Sequence, residues 1–180
     1  VYNPDVAATH DPDAARQLLE DAGYTDSDGD GVREFGGQPM SFEMITNSSD
    51  SLRLSITELV AEMLADVCIE VSLASVETAT WEEAVWPGFD INNGRNYDLA
   101  MWGWSAPVQA NTIRIAELVH GDPGIGFLNL TGFANDEVDA ISAQLQTEAD
   151  EATSAALIAD LQALIAEQLP FVLLAYPDGA

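Results

Sequence analysis

Ser41-Phe42-Glu43-Met44-Ile45-Thr46, a helix-period segment from Ser51 to Asp66, and Ile69-Glu70-Val71-Ser72-Leu73-Ala74 follow one another in the chain. The first stretch alternates, with Phe42 and Met44 on one face, as a strand does. The middle segment repeats Ile56, Leu59, Val60, Met63 and Leu64 at helical spacing. The last alternates again, with Ile69, Val71 and Leu73 on one face. Strand, helix, strand in this order predicts an α/β fold with a mostly buried sheet.

The flanks extend the pattern. Upstream, Asp11 is a candidate N-cap, Pro12 sits at the first helical position and Gly23 stops the helix. Ala15, Leu18, Leu19 and Ala22 form its apolar stripe. Downstream, Thr80-Trp81-Glu82-Glu83 reads as a capping box opening a short helix, which Pro87-Gly88 closes. Tyr97 to Trp102 reads as a third strand and residues 112–119 as a helix. Gly121 to Gly132 is loop by its Gly, Pro and Asn content. Two more helices follow. One is capped by Asn135, with Val138, Ile141 and Leu145 inward; the other carries Leu157, Leu161, Leu164 and Ile165 and ends at Pro170. Phe171 to Tyr176 reads as a last apolar strand. No internal repeat or low-complexity linker interrupts the 180 residues, so a single domain over 1–180 is expected.

Composition limits the function. Hydrophobic residues make up 47% of the chain, enough to bury a core, which excludes a disordered acidic tail. Thirty-one Asp and Glu stand against five basic residues, all Arg, for a net charge of −26. Five Arg cannot neutralise a nucleic-acid backbone, and docking on an anionic membrane is disfavoured for the same reason. One cysteine, Cys68, excludes an internal disulfide; at the start of an apolar strand it reads as a small buried hydrophobe. No apolar run approaches the roughly 20 residues of a membrane span. No signal-peptide pattern occurs, so the compartment is not read directly from the residues. The acidity and the total lack of Lys point to a protein adapted to high salt, where screening relieves self-repulsion.

In order and spacing, several segments resemble the extracellular solute-binding proteins of ABC importers, in the oligopeptide/dipeptide-binding family. They are the helix Asp11–Tyr24, the loop Asp26–Glu34, Leu64–Val71 (with Cys68 where Gly is usual), Tyr97–Trp104, Gly132–Asp139 and Leu169–Pro177. The resemblance implies a periplasmic-binding-protein-like lobe, with a small mixed β-sheet flanked by helices. Members of the family are much longer, so it implies the C-terminal lobe of a two-lobed protein. It further implies capture of a peptide or other small solute between that lobe and the N-terminal lobe, and delivery to the transporter's permease. It places the complete protein outside the cytoplasm, extracellular or periplasmic, and anchored at the membrane.

Trp102-Gly103-Trp104-Ser105 lies at the carboxyl end of a predicted strand, where ligands of open α/β sheets collect. Trp104 reads as a cleft residue and Trp102 as part core, part candidate ligand contact. Peptide-binding relatives usually carry an Asp shortly after this tryptophan, and it pairs with the peptide's free amine. Pro107 stands there in this chain, so that anchor is missing. Ser105, Gln109 and Asn111 are the polar candidates that remain, suited to a neutral solute such as an oligosaccharide, or equally to a loop turn and a helix cap.

Asp26, Asp28, Asp30 and Gly31 match positions 1, 3, 5 and 6 of a calcium loop. Val32 would offer its carbonyl at position 7 and Glu34 falls at position 9. Gly37 occupies position 12, where a bidentate Glu is usual. A structural Ca²⁺ is therefore one expectation; a turn whose Asp side chains bond the local backbone is the other. No other cofactor is expected. His10 and His120 are read as surface or capping residues, and Arg95 and Arg114 as partners of carboxylates. Glu82 and Glu83 are read as first-turn helix residues. The alternatives to solute capture are a calcium-dependent interaction module, which would need a second calcium loop, and a carboxylate-based hydrolase, for which no defined acid pair emerges. No catalytic residue is assigned.

Overall fold

The computed structural model describes residues 9–104 and 113–174. Contacts divide these into two compact units. One comprises 9–89 with 93–104, the other 90–92 with 113–174.

The first unit is the α/β part. It opens with α1 (Pro12–Asp21), and the Asp11 carboxylate accepts the Ala14 N–H at 2.9 Å. Two short antiparallel strands, β1 (Glu34–Phe35) and β2 (Gln38–Pro39), form a ribbon. Its two-residue turn is Gly36-Gly37, both at positive φ (60° and 79°), which a type I′ hairpin turn demands. Next come β3 (Ser41–Asn47), α2 (Ser51–Ala65) and β4 (Glu70–Val76). Strands β3 and β4 pair in parallel from Ser41–Glu70 to Asn47–Val76, the α2 crossover making this possible. The helix α3 (Thr78–Val85) and the strand β5 (Leu99–Ala100) complete the unit. β5 joins the other side of β3, giving the order β4-β3-β5. The α/β lobe with small sheets and flanking helices is thus as expected, with antiparallel pairing among the described residues at the ribbon and at a Thr25–Glu34 bridge beside it.

Several local expectations change. The sheet is not mostly buried. Met44, Ile45, Thr46 and Asn47 of the central strand are buried, whereas β4 lies at the edge and leaves Leu73 44% exposed. The strand β5 is shorter than Tyr97–Trp102, although Met101 N–H continues the pairing to Ile45 at 2.9 Å. In α2, Leu59 and Met63 are exposed (53% and 52%), and the buried position is Thr57. Its hydroxyl can face the sheet because it donates to carbonyls of the preceding turn, Arg53 and Leu54. Leu18 of α1 is exposed as well. The capping box at Thr80 does not form: α3 begins two residues earlier, behind an extended Glu77, so Glu82 and Glu83 are not first-turn residues. Trp81 instead enters the core at 1% exposure.

The scarce arginines act as staples here. Arg33, 5% exposed, donates to the carbonyls of Val67 (3.0 Å) and Tyr24 (2.8 Å) and pairs with Glu20 at 3.3 Å. Arg16 reaches the Asp66 carbonyl at 2.7 Å. Cys68 adopts φ 65°, a left-handed conformation. Gly takes that conformation without a Cβ clash, so the side chain of Cys68 sits on a strained backbone. The thiol is half-buried rather than buried.

The second unit is helical: α4 (Ile113–Val119), α5 (Asp136–Leu145) and α6 (Glu151–Gln168). Val119, Val138, Leu145 and Leu161 form its core. Asn135 caps α5, its side chain accepting from Glu137 and Val138 N–H. Asp150 caps α6, and the Thr153 N–H and hydroxyl hold its carboxyl below the usual range. The expected strand at Phe171–Tyr176 is absent over the described residues 171–174, and Val172 and Leu173 are 67% and 66% exposed. No helix among the described residues is long and apolar enough to cross a membrane.

Candidate functional site

Parallel strands β3 and β5 end side by side, and their carboxyl ends deliver the two segments of the site. After β3, Asn47 turns the chain into α2. Its amide donates to the Thr78 hydroxyl at 2.7 Å, and its carbonyl oxygen accepts from Ser49 N–H at 2.8 Å. Asp50 then caps α2 by accepting the Arg53 N–H at 3.1 Å, and its other oxygen lies 3.2 Å from Arg53 Nε. After β5 comes Trp102-Gly103-Trp104. The Trp102 indole stacks on Trp81, centroids 4.0 Å apart at 18°. The Arg53 guanidinium carbon lies 4.5 Å from the Trp102 ring centroid. Two groups this close to one centroid cannot share a face, so Trp102 is sandwiched between Trp81 and Arg53. Trp104 is 40% exposed.

Of the ligand contacts expected from sequence, Trp102 and Trp104 are brought to this strand end. Ser105, Gln109 and Asn111 lie outside the described residues, as does Pro107. Arg53 was not anticipated. The available signal was its rarity, as one of five Arg, and its position one turn after a capping Asp. Tyr97, just before β5, has its phenol pushed up by burial, an effect the Arg95 charge opposes.

The aspartate loop forms a second constellation. Carboxylate oxygens of Asp26, Asp28, Asp30 and Glu34 all lie within 4.8 Å of one another. Asp26 accepts the N–H groups of Gly29 (2.7 Å) and Gly31 (3.0 Å), Asp30 that of Val32 (2.8 Å), and Glu34 that of Ser27 (2.7 Å). Position 12 lacks its Glu because Gly37 serves the β1–β2 hairpin turn. Oxygen-only ligands of this kind suit a hard cation such as Ca²⁺.

The histidines differ from expectation in one case. His10 is exposed, but His120 is 7% exposed. Its Nδ1 accepts the Asp122 N–H at 2.9 Å and lies 3.7 Å from Asp139, a carboxylate supplied by α5. Arg114 pairs with Glu117 at 2.8 Å, as expected.

The chain belongs to the bacterial extracellular solute-binding proteins, family 5, whose middle region matches residues 1–121. The resemblance read from the ordered segments therefore holds. The oligopeptide-binding protein AppA of Bacillus subtilis (strain 168) is 29% identical over 169 residues, covering 92% of this chain and 29% of that protein. The nickel-binding periplasmic protein of Escherichia coli (strain K12) is 34% identical over 71 residues, or 39% of this chain and 14% of that protein. The structure of Bacillus subtilis AppA in complex with a nonapeptide matches with a TM-score of 0.77 at 25% identity, covering 94% of this chain and 32% of that one. A mannohexaose-bound periplasmic oligopeptide-binding protein from Thermotoga maritima matches with a TM-score of 0.80 at 22% identity, over 95% and 32%. The chain thus spans less than a third of the length of these relatives.

Proposed function

We propose that this chain is the C-terminal lobe of a two-lobed solute receptor of an ABC importer. It contributes half of a cleft that captures a peptide or another small solute, and an N-terminal lobe of the same protein closes over it. A membrane permease receives the solute. The receptor works extracellularly or in the periplasm, anchored at the membrane, with no catalytic role and no nucleic-acid partner. Family membership over residues 1–121 is the observation that carries this reading. The tryptophans at the carboxyl end of β5 agree with it, since ligands of open α/β sheets collect there. Neighbours of this fold hold a nonapeptide in one case and mannohexaose in another, so the fold by itself does not fix the ligand class.

The test is a thermal-shift screen of the full-length protein in molar NaCl, against one pool of peptides and one of oligosaccharides. A ligand at a hundredfold excess over its dissociation constant stabilises by about 2.7 kcal/mol, so its pool raises Tm visibly. If neither pool moves Tm, solute capture of these classes is wrong.

For the aspartate loop we propose a structural Ca²⁺ held by Asp26, Asp28, Asp30 and Glu34, remote from the solute. The backbone N–H groups orient these carboxylates, and a cation on their remaining lone pairs would fix the loop against the ribbon. Isothermal titration of the chelator-treated protein should show heat with Ca²⁺ and a rise in Tm, both lost in Asp28→Asn. No heat and no shift would remove the ion.

A further inference from the structure

We propose that Arg53 is a solute-binding residue. Its guanidinium, laid on Trp102 and fixed by Asp50, receives a carboxylate of the captured solute at the carboxyl ends of β3 and β5. The inference deepens the solute-receptor reading and rests on it.

The arginines are not used alike. Arg16 places its terminal nitrogens on Asp13 and the Asp66 carbonyl, and Arg33 on Tyr24 and Glu20. Arg114 pairs through Nη1 with Glu117. Arg53 differs: its Nε meets Asp50, while its two terminal nitrogens make no hydrogen bond to any described residue. The side chain is nevertheless only 25% exposed. It is held in place rather than extended into water.

Three contacts impose that placement. Asp50 grips Arg53 twice, through the backbone N–H and through Nε. Trp102 supplies a flat surface below the guanidinium, and Trp81 backs Trp102. Gly103 leaves room above the strand end, because a Cβ there would come within 3.0 Å of Arg53 Nη2. A side chain with many rotamers is thereby fixed in advance, so binding does not bear that ordering cost.

The fork that remains is the part of a guanidinium that recognises a carboxylate in bidentate fashion. Stacking covers Trp102 on both faces, which takes it out of use as a platform and makes the cation above it the surface a solute meets. The first turn of α2 contains no acidic residue beyond the cap, so no further carboxylate from that turn competes for the fork.

The experiment uses the full-length protein and its Arg53→Gln and Arg53→Lys variants. Calorimetric titrations employ three sets of otherwise neutral peptides: free acids, their C-terminal amides, and amides carrying one Glu side chain. An oligosaccharide pool is the fourth arm. Native protein should bind a carboxylate-bearing set about tenfold or more tighter than the plain amides. The set preferred tells whether the carboxylate is terminal or from a side chain. Arg53→Gln should abolish the preference, and a circular-dichroism spectrum and cooperative melting like those of the native protein separate lost recognition from lost folding. Arg53→Lys should restore part of it. Equal affinity for acids and amides, or a preference that survives Arg53→Gln, overturns the proposal and leaves solute capture standing. Binding of oligosaccharides alone does the same. Binding of none of the four contradicts both.

Discussion

The melting temperature of this protein should rise by roughly 10 °C between 0.1 M and 2 M NaCl, a stabilisation of a few kcal/mol for a chain of this size. The cause is the net charge of −26 over 180 residues. Like charges crowd one another most in the compact state, so repulsion weighs against folding. The ion pairs do little to offset it. Arg16–Asp13, Arg53–Asp50 and Arg114–Glu117 are each between residues three apart on one segment, and such local pairs contribute little. Salt shortens the Debye length from about 10 Å to about 3 Å at 1 M, which removes most repulsion between neighbouring carboxylates. The gain should be steep at low salt and flatten near molar concentration. A melting temperature independent of NaCl would contradict adaptation to salt and leave the acidity as a solubility device.

Replacing Trp81 by Ala should cost about 3–5 kcal/mol, the usual penalty for emptying a buried aromatic site. Trp81 is 1% exposed and is among the largest fully buried side chains. Its loss also removes the surface on which Trp102 lies, and with it the support of Arg53. Denaturant unfolding measures the stability term. Solute titration measures the second effect, which should exceed that of an equally destabilising Leu161→Ala in the helical unit. Equal losses of affinity in the two variants would show that the stack has no special part in the site.

Much of the fold is legible because its signals are local. Asp11, Pro12 and Gly23 bracket α1, and Asn135 opens α5, through bonds within a turn of the residue concerned. The strand-helix-strand alternation around α2 is equally plain. What escapes the sequence depends on tertiary partners. Thr80 and Glu83 have the form of a capping box, yet α3 starts earlier, with Trp81 taken into the core. Leu59 and Met63 fit a core stripe, but the sheet packs against the Thr57 side of α2. Asp139 is distant from His120 in sequence and reaches it only through the packing of α5. The site divides in the same way. Trp104 and the aspartate loop follow from position and spacing. Arg53 becomes visible only when β3 and β5 pair and bring Trp102 beneath it.

Small-angle scattering of the full-length protein, with and without the solute pool that raises its melting temperature, tests the central claim most directly. Capture between two lobes predicts a smaller radius of gyration with solute, as hinge closure draws them together. A solute that binds and leaves the radius of gyration unchanged would contradict capture by lobe closure.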